Sequence, residues 1–435
     1  MSRAQKVGVG LIGMGVVGSG VVRILQERAE HFQSAREIDL VLKRVAVRDV
    51  SKPRDVTIPV ELLTDDARKV VDDPDVQIVI ENMGGIEPAK EFCLRALHAG
   101  KDLVTANKAL LAEEGDELFD AAARHNAEIA YEASVCGGIP IIRCLTDGLV
   151  ANRIESLYGI LNGTTNYILT KMTDEGGAFS DILQQAQELG FAESDPTMDI
   201  DGTDAAQKLA LLCRIAFHTV LSPSEILKEG ISHITPLDID FARELGYTIK
   251  LLGIAKSREG RIEARVHPAL VPAGALLANI KDEFNAVEIV GSAVGPQVLY
   301  GRGAGQLPTA SAVVSDLVDL AERHVTQGRP NRSSVSGLTR STPIPPEEIV
   351  TSFYCRFTVY DRPGVLALIA RIFSEKEISI ATVIQQGRSE SEKDAVPLIM
   401  TTHQGREAAM RAAVAEINNL QVIKEPSQII RIERL

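Results

Sequence analysis

Residues 6–12 (Lys-Val-Gly-Val-Gly-Leu-Ile) form a short apolar run that passes directly into Gly13-Met14-Gly15-Val16-Val17-Gly18, after which the pattern turns helical to about Gln26. A buried strand, a glycine turn and a helix start in immediate succession predict a dinucleotide-binding βα unit. Gly13 permits the turn, Gly15 lets the backbone approach a pyrophosphate, and Gly18 lets the helix pack on the strand. With Met14, Val16 and Val17 between them, they aim the helix N-terminus, with its free N–H groups and partial positive charge, at a phosphate. Arg3 and Lys6 ahead of an apolar run imitate a secretory leader, but glycines at 8, 10, 13, 15, 18 and 20 favour the nucleotide turn.

The next segments extend that unit. A strand over 40–47 ends at Arg48, with Lys52 and Arg54 close behind. Basic side chains there suit a ribose 2′-phosphate, whereas Asp49 suits a free 2′-hydroxyl, so the expected cofactor is NADPH with NADH tolerated. Strands at 77–81, 102–105 and 128–131 alternate with helices at 88–99 and 115–125, which specifies an α/β fold with a Rossmann-type doubly wound parallel sheet. Ligands bind such sheets beyond the carboxyl ends of the strands. Lys108 follows one such end, and either points into the cofactor crevice or enters a helix in solvent.

Residues 190–212 place four acids, Glu193, Asp195, Asp199 and Asp201, ahead of a strongly apolar helix that Asp201 or Thr203 can cap. Asp204 and Lys208 lie four residues apart on one helical face. Nearly every residue from Leu209 to Phe217 is apolar, so the helix is expected to be buried on most sides, and Lys208 stands where the chain enters a core. A lysine there keeps an acidic partner or lowers its pKa, and either makes it a candidate proton donor. The alternative is an exposed pair of about 0.2–0.5 kcal/mol.

Tyr131 to Pro140 also follows a strand end, and its irregular backbone could offer carbonyls to a monovalent cation. Cys136 within it is a conceivable thiol nucleophile, but no histidine lies nearby to activate it. The five cysteines are never spaced as CxxC, so neither a disulfide framework nor a zinc site is implied. A dispersed net charge of −13 argues against nucleic acid and for a small-molecule partner. No apolar run is long enough for a membrane span, and the expected location is the cytoplasm. The turn after a strand at 153–160 could hold a carboxylate or cap a helix, 247–300 reads as a second sheet with a hairpin at Glu259-Gly260, and Gly301 to Gly305 leads into a helix reaching about His324. Residues 327–346 read as a linker, and beyond them the pattern is βαββαβ, without a catalytic cluster.

The chain resembles homoserine dehydrogenase with a C-terminal ACT domain, most specifically through Gly159-Ile-Leu-Asn-Gly-Thr-Thr-Asn-Tyr-Ile, Glu193-Ser-Asp-Pro through Asp204 and Lys208, and Gly303-Ala-Gly305 with Pro308-Thr-Ala. The resemblance implies reversible reduction of L-aspartate 4-semialdehyde to L-homoserine with NAD(P)H. It implies that Glu193 and Asp199 hold the substrate with Lys208, that Lys108 and Lys208 lie at the reacting carbonyl with Asp204 orienting Lys208, and that Gly305 and Lys108 meet the cofactor. It also matches Glu132, Val135, Gly137 and Ile139 to a sodium- or potassium-binding loop, where Cys136 replaces a small residue. The implied division is a dinucleotide domain at 1–133 plus 308–328, a substrate and dimerisation domain at 134–307, a linker at 329–349 and an ACT domain at 350–435. That tail implies L-threonine feedback, lost on deleting 350–435 with catalysis retained, and a homodimer or homotetramer. Two other readings compete: an acylating semialdehyde dehydrogenase using Cys136, and a non-catalytic NADPH or amino-acid sensor.

Overall fold

The structure, a computed structural model, describes residues 4–326, 338, 340–385 and 395–435; most of the expected linker lies outside the described residues. The chain divides into two compact units. One comprises 1–157, 204–226 and 284–341, the other 158–203, 227–283 and 342–435.

In the first unit the parallel strands β1 (Gln5–Ile12), β2 (Ile38–Ala46), β3 (Leu63–Thr64), β4 (Ile78–Glu81), β5 (Asp102–Thr105) and β6 (Ile129–Ala130) form a six-stranded sheet in the order β3-β2-β1-β4-β5-β6. That order reverses between β1 and β4, and dinucleotides bind at such a switch point. The helix after the glycine turn is longer than expected, spanning Val16–Arg36. Its second half is polar and exposed, so apolar periodicity fades while the helix continues on the surface, helped by the Arg23–Glu27 pair, until Glu37 turns left-handed.

The helix expected over 115–125 is Lys108–Arg124, because Asn107 accepts a hydrogen bond from the Leu110 N–H and so starts it earlier. Helix Gln306–Thr326 packs into the same core, where Ala310, Val313, Leu317 and Ala321 meet Val21, Val22 and Leu11. Gly20 makes that approach possible, since a β-carbon there would stand 2.9 Å from that of Ala310.

In the second unit Tyr247–Arg258 and Arg261–Pro272 form the expected antiparallel hairpin. Its turn residues Glu259 and Gly260 both have positive φ (51° and 79°), as a two-residue hairpin with the native twist requires. The tail comprises strand Val350–Tyr360, helix Val365–Glu375, strands Ile380–Gln385 and Ala395–Thr402, helix Glu407–Asn418 and strand Ile423–Ile432. Val350–Tyr360 alternates in the way a two-sided strand must. Phe353, Cys355, Phe357 and Val359 join the apolar core with Ile369, Phe373 and Met410, each large side chain contributing about 1.5–3 kcal/mol on burial. The other face is polar: the Tyr354 hydroxyl and Arg356 Nε donate to Asp238 Oδ1 at 3.2 and 2.7 Å.

The tail is also stitched to the hairpin. Ile423–Ile432 pairs in parallel with Arg261–Pro272 through Ala269 with Arg431 and Leu270 with Ile432. Removing residues 350–435 would therefore strip a paired strand from that hairpin. Among the described residues no helix is long and apolar enough to cross a membrane.

Candidate active site

At the glycine turn the Gly13 N–H donates to the Ala46 carbonyl at 2.9 Å, and φ there is +92°. A β-carbon on Gly13 would fall 2.6 Å from the Asn82 carbonyl oxygen, and one on Gly18 2.2 Å from that of Gly13, so both must be glycine. Gly15 is different: nothing lies within 4 Å of its β-carbon position. The helix beginning at Val16 has no side-chain cap and no acid in its first turn, Val16 is exposed and Met14 is buried below. Open space over Gly15 beside uncapped N–H groups fits a pyrophosphate. Both polar atoms of the Asn82 amide are buried at the end of β4 without a hydrogen-bond partner among the described residues, as a site awaiting a polar ligand would leave them.

Arg48 and Asp49 are exposed just beyond β2. Asp49 Oδ1 accepts from the Ser51 N–H at 2.8 Å and its hydroxyl at 2.6 Å, which holds the carboxyl below its ordinary pKa and commits it to its own turn. Arg54 is tied to the backbone, donating to the carbonyls of Asp49 and Lys52 at 2.6 and 2.7 Å. Arg48 makes no hydrogen bond or ion pair among the described residues, leaving its fork available.

The ends of β4 and β5 are braced by polar residues that sequence reading missed. Buried Glu81 accepts from the Thr105 hydroxyl and the Met83 N–H, both at 2.6 Å, while burial raises its pKa. The Asn107 side chain donates to the Gly85 carbonyl at 2.6 Å and caps the next helix. Glutamate closing an otherwise apolar strand, and Asn directly before Lys108, were the available signals.

That cap presents Lys108 to the helix Thr203–Ala216. Lys108 Nζ lies 3.1 Å from Asp204 Oδ1, and Lys208 Nζ lies 2.7 Å from Asp204 Oδ2. Side-chain exposure is 35% for Lys108, 12% for Lys208 and 9% for Asp204, so this is not a solvated surface pair. One carboxylate between two ammonium groups leaves the cluster with a net positive charge. Such a site favours negative charge developing on a bound oxygen, with a proton donor within reach.

In the loop after β6 the buried Glu132 carboxylate accepts from the N–H groups of Ile142 and Arg143 at 2.7 and 2.8 Å, and its pKa is raised by burial. The carbonyls of Glu132, Cys136 and Ile139 accept from Val135, Ile139 and Ile141, whereas those of Val135 and Gly137 accept nothing among the described residues. Two free carbonyls fit part of a cation site. The Glu132 carboxylate, already holding two amides, fits it less well. No cluster of three His, Cys, Asp or Glu side chains suited to a metal occurs among the described residues.

Cys136 sits at φ +55°, fully buried, with Asn285 Nδ2 3.6 Å from its sulfur. Burial pushes the thiol pKa up, the reverse of what a nucleophile requires. Cys136→Ser should therefore leave enzymatic turnover in place; loss of all turnover would restore the thiol to the mechanism. Gly305, at φ +116°, accepts from the Thr309 N–H as the helix at Gln306 begins.

Glu193 and Asp199 belong to the second unit. Glu193 is exposed, with its backbone carbonyl held by Gln187 Nε2 at 3.0 Å. Asp199 Oδ1 accepts from Asn162 Nδ2 at 2.6 Å, and the Asn162 side-chain oxygen caps the helix Gly163–Asp174.

The family model "Homoserine dehydrogenase, NAD binding domain" matches residues 13–132 and the model "Homoserine dehydrogenase" matches 140–318. A homoserine dehydrogenase of Synechocystis sp. is 41% identical over 98% of this chain and 99% of its own length. The chain belongs to the homoserine dehydrogenase family. It is therefore an oxidoreductase with a nicotinamide cofactor and a small-molecule substrate. A homoserine dehydrogenase structure from Thiobacillus denitrificans superposes with a TM-score of 0.92 at 44% identity, covering 99% of this chain and 98% of that one. A hyperthermophilic archaeal homoserine dehydrogenase solved in complex with NADPH gives 0.62 at 26% identity over 75% of this chain and 99% of that one.

Proposed function

We propose that this chain reversibly reduces L-aspartate 4-semialdehyde to L-homoserine, using NADPH in preference to NADH. The observation that carries the reading is the carboxylate of Asp204 held between the ammonium groups of Lys108 and Lys208. A nicotinamide cofactor held at the turn from Gly13 to Gly18 would supply hydride to the aldehyde carbon. As that bond forms, the carbonyl π electrons move to oxygen, and the two lysines stabilise the alkoxide. Lys208 gives the oxygen a proton, Asp204 orients that ammonium, and Lys108 assists from the end of β5. Gly13 to Gly18 cradle the pyrophosphate and Gly305 adjoins the cofactor, while Glu193 and Asp199 hold the substrate's polar groups.

Arg48 is the 2′-phosphate ligand in this reading, because Asp49 is spent on its own turn. Hydrogen bonds to charged groups contribute about 1.5–3 kcal/mol, so Arg48→Ala should raise the KM for NADPH about 10- to 100-fold and barely change that for NADH. Equal effects on both cofactors would remove Arg48 from the site.

The tail's βαββαβ order, with sheet sequence fourth-first-third-second, supports an ACT module at 350–435 that takes an amino acid, L-threonine by family resemblance. With it go the dinucleotide segment 1–133 plus 308–328, the substrate segment 134–307 and the linker 329–349. The free carbonyls of Val135 and Gly137 support a sodium or potassium site in the loop from Glu132 to Ile139. Edge strands with exposed apolar side chains, Tyr300 on Gly295–Arg302 and Val383 on Ile380–Gln385, support a homodimer or homotetramer.

The test is the initial rate of NADPH oxidation with L-aspartate 4-semialdehyde, beside NADH and with and without L-threonine. Turnover to homoserine with inhibition by threonine is the expected result. NADPH binding without turnover would instead support a sensor.

A further inference from the structure

We propose that Glu229 is a positioning residue, locking the segment that supports the Asp199 turn to the C-terminal strand. The proposal rests on the reading that Asp199 holds substrate.

Arg431, on Ile423–Ile432, is 4% exposed and faces two carboxylates. Its Nη1 and Nη2 donate to Glu229 Oε2 and Oε1 at 2.7 and 2.8 Å, and its Nε donates to Glu407 Oε2 at 2.9 Å. Arg411 closes the cluster, 2.9 Å from Glu407 and 3.4 Å from Glu229. A two-pronged guanidinium contact fixes the carboxylate's orientation as well as its position. Glu229 is thus clamped to two elements of the tail, the last strand and helix Glu407–Asn418.

The residues flanking Glu229 all press on one stretch. Before it, Lys228 Nζ donates to the Thr203 hydroxyl and lies 3.3 Å from Asp201 Oδ2. After it, a β-carbon on Gly230 would fall 2.3 Å from the Ile200 carbonyl oxygen and 2.8 Å from the Asp201 α-carbon. The Ile231 N–H then donates to that Ile200 carbonyl at 2.9 Å. Ile200 directly follows Asp199 in the short helix Thr197–Ile200, and the Asp199 carbonyl accepts from Gly202 at 3.2 Å. A shift of Glu229 therefore reaches Asp199 through backbone contacts. A displaced Asp199 would hold the substrate less well in the ground state and the transition state alike, which raises KM without slowing the chemical step.

The experiment uses full-length protein with NADPH and varied L-aspartate 4-semialdehyde. Glu229→Gln keeps the side-chain size and loses the charge pair; Gly230→Ala displaces the segment with every ion pair intact. Both should raise the KM for the semialdehyde about 10-fold, with kcat and the Kd for NADPH unchanged, the pattern of lost uniform binding. Asp199→Asn serves as the control. Unchanged KM in both variants, with KM raised in Asp199→Asn, overturns the coupling and leaves the role of Asp199 standing, even where Glu229→Gln lowers the melting temperature. Unchanged KM in Asp199→Asn removes the reading of Asp199 and the proposal with it. Should Glu229→Gln not fold, Gly230→Ala decides alone.

Discussion

Lys208→Ala should lower kcat for semialdehyde reduction about 10²- to 10⁴-fold, the usual contribution of a positioned proton donor, with no change in the Kd for NADPH. The effect should fall on the chemical step, because Lys208 lies 2.7 Å from Asp204 and far along the chain from the glycine turn. Lys208→Arg separates its two roles. Arginine keeps a positive charge beside Asp204 but does not release a proton at neutral pH, so it should recover affinity for substrate without recovering turnover. Single-turnover absorbance at the nicotinamide band reads the chemical step directly. A loss under tenfold in Lys208→Ala would leave that lysine a structural partner of Asp204, and Lys108 would become the donor to test.

Arg265→Met should destabilise the second unit by about 3–5 kcal/mol, the cost of removing one member of a buried ion pair. Arg265 is fully buried, 2.9 Å from Glu263 and 2.7 Å from Glu433, which are themselves 1% and 3% exposed. Among the described residues Arg265 Nε and Nη2 and both Glu263 carboxylate oxygens make no hydrogen bond, while Arg265 Nη1 bonds His267 Nε2 at 3.1 Å, so the carboxylates are held by charge compensation more than by hydrogen bonds. Without Arg265 the two carboxylates keep, among the described residues, only Lys256, at 3.9 and 3.4 Å, and the half-exposed Arg258. Urea denaturation followed by circular dichroism measures the loss, and less than about 1 kcal/mol would mean that water reaches the cluster.

Deleting 350–435 should be worse, since it removes both Glu433 and the strand paired with Ala269 and Leu270. Catalysis is then not expected to survive the truncation, contrary to the simple picture of a detachable regulatory tail. Threonine response is better probed by point substitutions in that module.

Local chemistry made much of this molecule legible in advance. The glycine turn had to follow a strand and open a helix, and the hairpin at Glu259-Gly260 had to turn with two positive φ values. The i,i+4 spacing of Asp204 and Lys208 put them on one face wherever the helix went. Where reading erred locally, a side chain outcompeted periodicity: Asn107 started a helix seven residues early, and a polar surface half extended the one after Gly18.

Contacts between distant segments were not legible, because nothing in either segment names the other. Lys108 carries no mark that its partner is Asp204, nor Cys136 that Asn285 will press on its sulfur. The same holds for the tail: its alternating strand announced two faces, but not that one face would hold Asp238 through Tyr354 and Arg356. The sequence by itself determined the elements, the nucleotide turn and the acid–lysine helix, because backbone sterics and side-chain periodicity act within a few residues. Only the tertiary structure decided that a second lysine shares Asp204, that the Cys136 thiol is buried with its pKa pushed up and that Arg431 binds Glu229, because burial and charge pairing exist only once remote segments exclude water together.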